Sequence, residues 1–317
     1  MRRIVLKLLS GIYGWIIATF VLASVAYASY SIWDNAQIYQ SAENVQDKIR
    51  EMKPDEDGED GPTFDELRAL NGDVIGWITL DGTNIDYPIL KGETNLTYMN
   101  KDVYGNFSLA GSIFMDVRNT SDFSDNYTLI YGHNMDEDLM FGDLALYKDK
   151  EFFEENTTAT LMTPEETKDY TVAAVLSTSA GTDEIFDPDT WKDNLDGFGE
   201  YVKENSTWYH SDLVDMLIKD SETMETVSLA TCSDESTNER TVVILLRDKD
   251  GAYVKTNKNA TSGTSSSNSA GSTTTSSKKT GDTQNPKFWI TIIAGVLLFI
   301  LIFEGIDRLR SRSSDDF

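Results

Sequence analysis

The sequence predicts a mainly β domain of barrel or sandwich type with added helices, carried between two segments suited to lipid. Three observations lead there. Residues 76–80, 85–90, 111–115, 126–131, 159–162 and 170–176 are short runs rich in β-branched and aromatic residues, bounded by Gly, Asn or Asp. Residues 226–232 and 240–247 form a last pair of such runs around the polar loop 233–239. A chain of 317 residues with 40% apolar composition is long enough for one ordinary domain with a core, plus flanking segments.

In chain order, residues 8–30 carry no charge and are long enough to cross a bilayer. Residues 288–303 are also uncharged and rich in Ile and Leu, but shorter. Arg2, Arg3 and Lys7 precede the first segment, and Arg308, Arg310 and Arg312 follow the second. The positive-inside rule then puts both termini in the cytoplasm and the intervening domain outside the cell membrane. The alternative for the N-terminus is a cleaved signal peptide, since Ala26-Tyr27-Ala28 fits a small-x-small cleavage site. The apolar run is longer than a typical signal core, which favours a retained anchor.

Residues 33–52 read as a helix with apolar positions at Trp33, Ile38, Val45, Ile49 and Met52. The Asp/Glu/Gly/Pro run 54–62 breaks it, and a short helix at 64–70 precedes the strands. Helical inserts are expected at 137–147 and 190–204. Residues 256–284 are a Ser/Thr/Gly/Asn tract with almost nothing to bury, so a flexible tether is expected. The organisation is thus an anchor at 1–32, a folded domain at 33–255, a linker at 256–286, a second membrane segment at 287–305 and a cytoplasmic tail at 306–317.

The net charge of −26 lies entirely in the middle of the chain, because both ends are neutral or basic. It argues against nucleic acid as a partner, since a polyanion would meet a like-charged surface. No array with calcium-ligand spacing appears, and no metal site is expected.

The chain has one cysteine and two histidines, His133 and His210. An exported domain with a lone cysteine cannot close an internal disulfide. Cys232 is therefore an inert buried thiol, an intermolecular link or a nucleophile. A thiol needs a base or a cation beside it to ionise near neutral pH. His133 follows a strand, after Gly132, where loops commonly present functional side chains; His210 lies beyond a helical stretch. If 226–232 and 240–247 pair as a hairpin, Cys232 opposes Arg240, Ala230 opposes Val242 and Ser228 opposes Ile244. Arg240 then has donors close enough for a thiolate or an oxyanion, or it is a solvated arginine on a surface hairpin. Arg247 lies seven residues further, about 23 Å along a strand, and cannot serve the same site.

The stretch Thr231-Cys232 with Arg240, preceded by Ser228-Leu-Ala, resembles the cysteine strand and following arginine of sortases. Asn71-Gly-Asp-Val-Ile-Gly-Trp-Ile78, Gly82-Thr-Asn-Ile-Asp-Tyr-Pro88, Asn95-Leu-Thr-Tyr-Met99, Gly111-Ser-Ile-Phe-Met-Asp116 and Tyr131-Gly-His-Asn-Met135 are similar to class B members in the same order. The resemblance implies an eight-stranded β-barrel with an N-terminal helical segment and a helix between strands six and seven. It implies a cysteine transpeptidase without cofactor: Cys232 as nucleophile, His133 as acid/base and Arg240 as oxyanion stabiliser, with Asn95, Met99 and Thr231 along the substrate groove. Implied partners are surface proteins or pilins bearing a sorting signal, and an amine nucleophile from peptidoglycan or a pilin lysine. Ser228 and Ala230 depart from the family, which often has Thr and Ser there. The tail Lys279-Thr-Gly-Asp-Thr283 with its apolar run resembles a sorting signal, but has Ser277-Lys278 where Leu-Pro is expected. Hence the competing class: a non-catalytic wall- or membrane-anchored surface protein.

Overall fold

The computed structural model describes residues 2–55, 61–135, 139–179, 184–231, 239–251, 256 and 259–263. Residues 38–271 belong to one compact unit and residues 1–37 to another. Cys232, the linker beyond 263, the second apolar segment and the C-terminal tail lie outside the described residues.

The first helix, α1 (Arg2–Arg50), runs without a break through the anchor and the helix expected at 33–52. Nothing between 30 and 33 stops it: Ser31 and Ile32 are helix-compatible, and the first proline is Pro54. Its N-terminal part leaves Ile12, Trp15, Phe20 and Leu22 exposed and is long and apolar enough to cross a membrane. From Ile38 onward it packs on the domain. There Ala42 and Ile49 are buried, and Gln46 and Arg50 both donate to the Asn84 carbonyl, at 3.2 and 2.7 Å.

Helix α2 (Phe64–Leu70) starts at a reciprocal cap. Glu66 N–H donates to Thr63 Oγ1 at 3.3 Å, and Thr63 N–H to the Glu66 carboxylate at 2.9 Å. The strands are β1 (Val74–Leu80), β2 (Asp86–Leu90), β3 (Ile113–Met115), β4 (Tyr127–Gly132), β5 (Thr158–Met162), β6 (Thr167–Ser179), β7 (Trp208–His210), β8 (Met224–Thr231), β9 (Glu239–Asp248) and β10 (Ala260–Thr261). Eight of them pair in the order β6-β5-β1-β2-β3-β4-β8-β9, and β9 returns to β6, so the sheet closes into a barrel. Closure leaves the eight strands no free edges.

Helices α4 (Pro188–Trp191), α5 (Leu195–Asn205) and α6 (Ser211–Lys219) lie between the sixth and seventh barrel strands, where one helix was expected over 190–204. The insert expected at 137–147 is a 3-10 helix at Gly142–Lys148, followed by α3 (Lys150–Glu155), which Asp149 caps. Strand β10 corrects the boundary at 255. Ala260 and Thr261, inside the tract expected to be a linker, pair with His210 and Tyr209 on β7. Two residues carry too little periodicity to be read as a strand; the exposed edge of β7 selects them.

Period-two alternation divides the buried residues into two clusters. Ile130, Val227, Leu229, Val243 and Leu245 join one. Leu129, Tyr131, Ala230, Val242 and Ile244 join the other, together with Phe198, Val202, Leu213 and Leu217 of α5 and α6. Tyr131, two residues before His133, lies on the second face.

Candidate active site on three adjacent strands

Strands β4 and β8 run parallel and in register to their ends, where Gly132 pairs with Thr231. In sequence, His133 follows the last residue of β4 and Cys232 the last residue of β8. Neighbouring strands lie about 4.8 Å apart, so Gly132 and Thr231, separated by 99 positions in sequence, end their strands side by side. Strand β9 is the other neighbour of β8, with Ser228 opposite Ile244 and Ala230 opposite Val242, the register expected from the hairpin. Arg240 lies in the same strand, opposite Thr178 of β6.

The His133 ring is oriented by the backbone. Its Nε2 lies 2.8 Å from the Met99 carbonyl, which can only accept, so Nε2 is the donor of that bond. The loop carrying Met99 closes tightly on the ring. A Cβ on Gly111, at φ +63°, would fall 2.5 Å from Met99 O and 2.9 Å from His133 Cδ2. The His133 carbonyl accepts from Phe141 N at 2.9 Å and holds the following loop at its base. Gly132 lies within the strand rather than in a turn. It ends β4 with Ile113 and Phe141 so close that a Cβ would meet them at 2.4 and 2.7 Å.

His210 is placed differently. It is 0% exposed and stacked on Phe153, with ring centroids 4.4 Å apart, and burial pushes its pKa down.

The Arg240 guanidinium lies over the Phe186 ring, 4.7 Å from its centroid. Thr231 is buried; its Oγ1 accepts from Thr241 N at 3.0 Å and so ties the ends of β8 and β9 together. Asn95 has both ends of its amide engaged, donating to Asp116 at 2.9 Å and accepting from Val117 N at 2.9 Å. The sequence reading missed the group behind it. Asp116, 0% exposed, is gripped by Arg118 through Nε and Nη2, both at 2.8 Å. Burial alone would raise the Asp116 pKa, but the hydrogen bonds and charge of Arg118, with Asn95, outweigh it and hold the group ionised below the usual range. Tyr131 donates to the same carboxylate at 3.3 Å. Lys91 donates to the carbonyls of Asp116, Val117 and Asn119, which fixes the loop after β3. The only sequence signal for this group is Asp116 itself, at the end of the Gly111–Asp116 motif.

Arg247 is at the far end of β9, opposite Glu225. It donates to Glu225 at 3.0 Å, beside Tyr170 at 2.9 Å and Lys168 at 3.3 Å.

Comparison with known proteins matches this frame. Sortase B of Listeria monocytogenes is 48% identical over 95 residues, 29% of this chain and 39% of that protein. Sortase B of Staphylococcus aureus is 36% identical over 114 residues, 36% of this chain and 47% of that protein. The matched stretches therefore span less than half the length of these two relatives. Among solved structures, a class B sortase of Streptococcus pyogenes involved in pilus biogenesis superposes with a TM-score of 0.52 at 36% identity, covering 58% of this chain and 97% of that one. Staphylococcus aureus sortase B complexed with MTSET gives 0.53 at 26%, covering 68% and 90%. The family profile for the sortase domain matches residues 78–247, which is more than half of the chain. With its closed eight-stranded barrel and its class B structural neighbours, this chain belongs to the sortase family.

Proposed function

We propose that this chain is a membrane-tethered class B transpeptidase whose nucleophile is Cys232. In this reading the Cys232 thiolate attacks the backbone carbonyl carbon of a threonine in a short sorting motif. Arg240 holds the oxyanion that forms. His133, protonated at Nδ1, gives that proton to the departing amine as the C–N bond breaks, leaving a thioester on Cys232. A second amine then attacks the thioester and loses its proton to His133, and the C–S bond breaks to return the thiolate. Met99 acts through the carbonyl that orients His133, and Thr231 through the cross-strand bond to Thr241. Asn95 shapes the groove wall through Asp116.

One observation carries the reading: the ends of β4 and β8 pair at Gly132 and Thr231, with β9 and its Arg240 on the other side of β8. This register supports a site at one end of the barrel to which the three strands contribute a thiol, a base and an oxyanion donor, as acyl transfer needs. The first stretch of α1, behind Arg2, Arg3 and Lys7, serves as the anchor with the domain outside, and 287–305 as a second span.

The test uses the full chain in detergent, internally quenched threonine-containing peptides, and triglycine as acceptor. Intact-mass spectrometry should find the acyl group on Cys232, and triglycine should release it as a new peptide. Cys232→Ala should fold and do neither. Cleavage by a folded Cys232→Ala protein would overturn the cysteine mechanism, and no acyl transfer with any peptide would favour a non-catalytic surface protein.

A further inference from the structure

The 3-10 turn Glu184–Phe186 has no strand partner to hold it, yet each of its three carbonyls receives a side-chain hydrogen bond from a different element. Trp191 Nε1 of α4 donates to Glu184 O, Tyr127 OH of β4 to Ile185 O, and Arg118 Nη2, after β3, to Phe186 O, each at 2.6 Å. Tyr127 is 0% exposed and Trp191 6%, so two of the donors are themselves fixed in the core. The third is fixed by charge: Arg118 is forked onto buried Asp116 and also donates to Asp187 at 2.7 Å. This is more constraint than an ordinary surface turn receives. The side chain it carries packs only against the margin of the core. Phe186 is only half-buried, and its ring lies under the Arg240 guanidinium.

An arginine loses considerable rotamer freedom when it grips a carbonyl, so one that is already held presents its planar fork at lower cost. The negative face of an aromatic ring is suited to that task, because it attracts the cation without consuming any N–H donor. We propose that Phe186 is a positioning residue for the reaction: its ring is a platform that orients Arg240 toward the substrate carbonyl, and Arg118 on Asp116 locks that platform to the barrel. The proposal rests on the role given to Arg240 above. It also accounts for why an apolar side chain and a buried carboxylate–arginine pair meet at this turn.

The test is a double-mutant cycle on the full chain in detergent, with whichever quenched threonine peptide it cleaves and triglycine as acceptor. Phe186→Leu should lower kcat/KM by about 3–30-fold, mostly in kcat, with little change in melting temperature. Phe186→Tyr should retain near-parental turnover, and Phe186→Leu should add nothing in an Arg240→Ala background. If the Leu variant folds poorly, Phe186→pentafluorophenylalanine nearly keeps ring size while reversing the ring's charge distribution, and should show the same loss. A crippled Arg240→Ala protein with full activity in both Phe186→Leu and the fluorinated variant would overturn the platform while leaving the role of Arg240 intact. Full activity in Arg240→Ala would instead remove the reading beneath it. Independent, multiplicative losses from Phe186 and Arg240 would also overturn the proposal.

Discussion

Replacing Glu225 by Gln tests the barrel's far end. Glu225 is 7% exposed and Lys168 6%, and the carboxylate is shared by Arg247, Lys168 and Tyr170, on β9 and β6. The substitution keeps shape but removes the charge, taking from Arg247 its carboxylate partner and leaving Lys168 only the more exposed Glu166 at 3.5 Å. Breaking a buried pair by removing one partner costs about 3–5 kcal/mol, because the remaining charge stays desolvated. For a folded unit of this size that corresponds to a fall of roughly 6–20 °C in melting temperature. Arg247→Ala should cost less, since Lys168 still neutralises Glu225. The site should not feel either change: Glu225 is six residues before Thr231 on a continuous strand, about 20 Å away. The measurements are thermal unfolding of the full chain in detergent and kcat/KM well below the melting transition. A melting temperature within about 2 °C of the parent, or a tenfold loss of turnover in the folded variant, would refute the assignment of this cluster to stability alone.

Other outcomes follow from the site. His133→Ala should be nearly inactive, whereas His210→Phe should keep most activity; equal losses in folded proteins would leave His133 unsupported as the base. Burial lowers the folded pKa of His210 below its unfolded value, so stability is lost as pH falls below about 6.5, and His210→Phe should remove that loss in a pH series of unfolding curves. Arg240→Ala should cost about 10²–10³ in kcat/KM, with Arg240→Lys a poor substitute. Parental turnover in Arg240→Lys would contradict an oxyanion role. Asp116 also has a depressed folded pKa, so its contribution is complete above the unfolded value near 4 and lost as pH falls through the folded one. Asp116→Asn should therefore be less stable at pH 7 and should flatten the acid limb; an unchanged acid limb would show that Asp116 is not linked to stability.

What could be read from the sequence was local. The β8–β9 hairpin came out in register because two strands joined by a short polar loop have few ways to pair, and alternation then decides which residues face together. The strands from β1 to β6 were visible as β-branched runs, although β6 is longer at both ends than its apolar centre, because its polar ends pair with β5 and β9. The candidate residues were legible only as types in a motif order. The strand neighbours that set where His133 and Arg240 sit depend on the parallel pairing of β4 with β8 and on β9 closing onto β6, contacts between distant segments that no local periodicity encodes. The same holds for Arg118, Phe186 and β10. A Phe two residues from a proline and an Ala-Thr pair in a polar tract have no local signature, and they acquire roles because burial brings a cation, a carbonyl or an unpaired strand edge beside them. The sequence by itself determined which residues could do chemistry and which strands could form. Only the tertiary structure decided which strands are neighbours, because that choice is made by the global burial of both faces of a closed sheet.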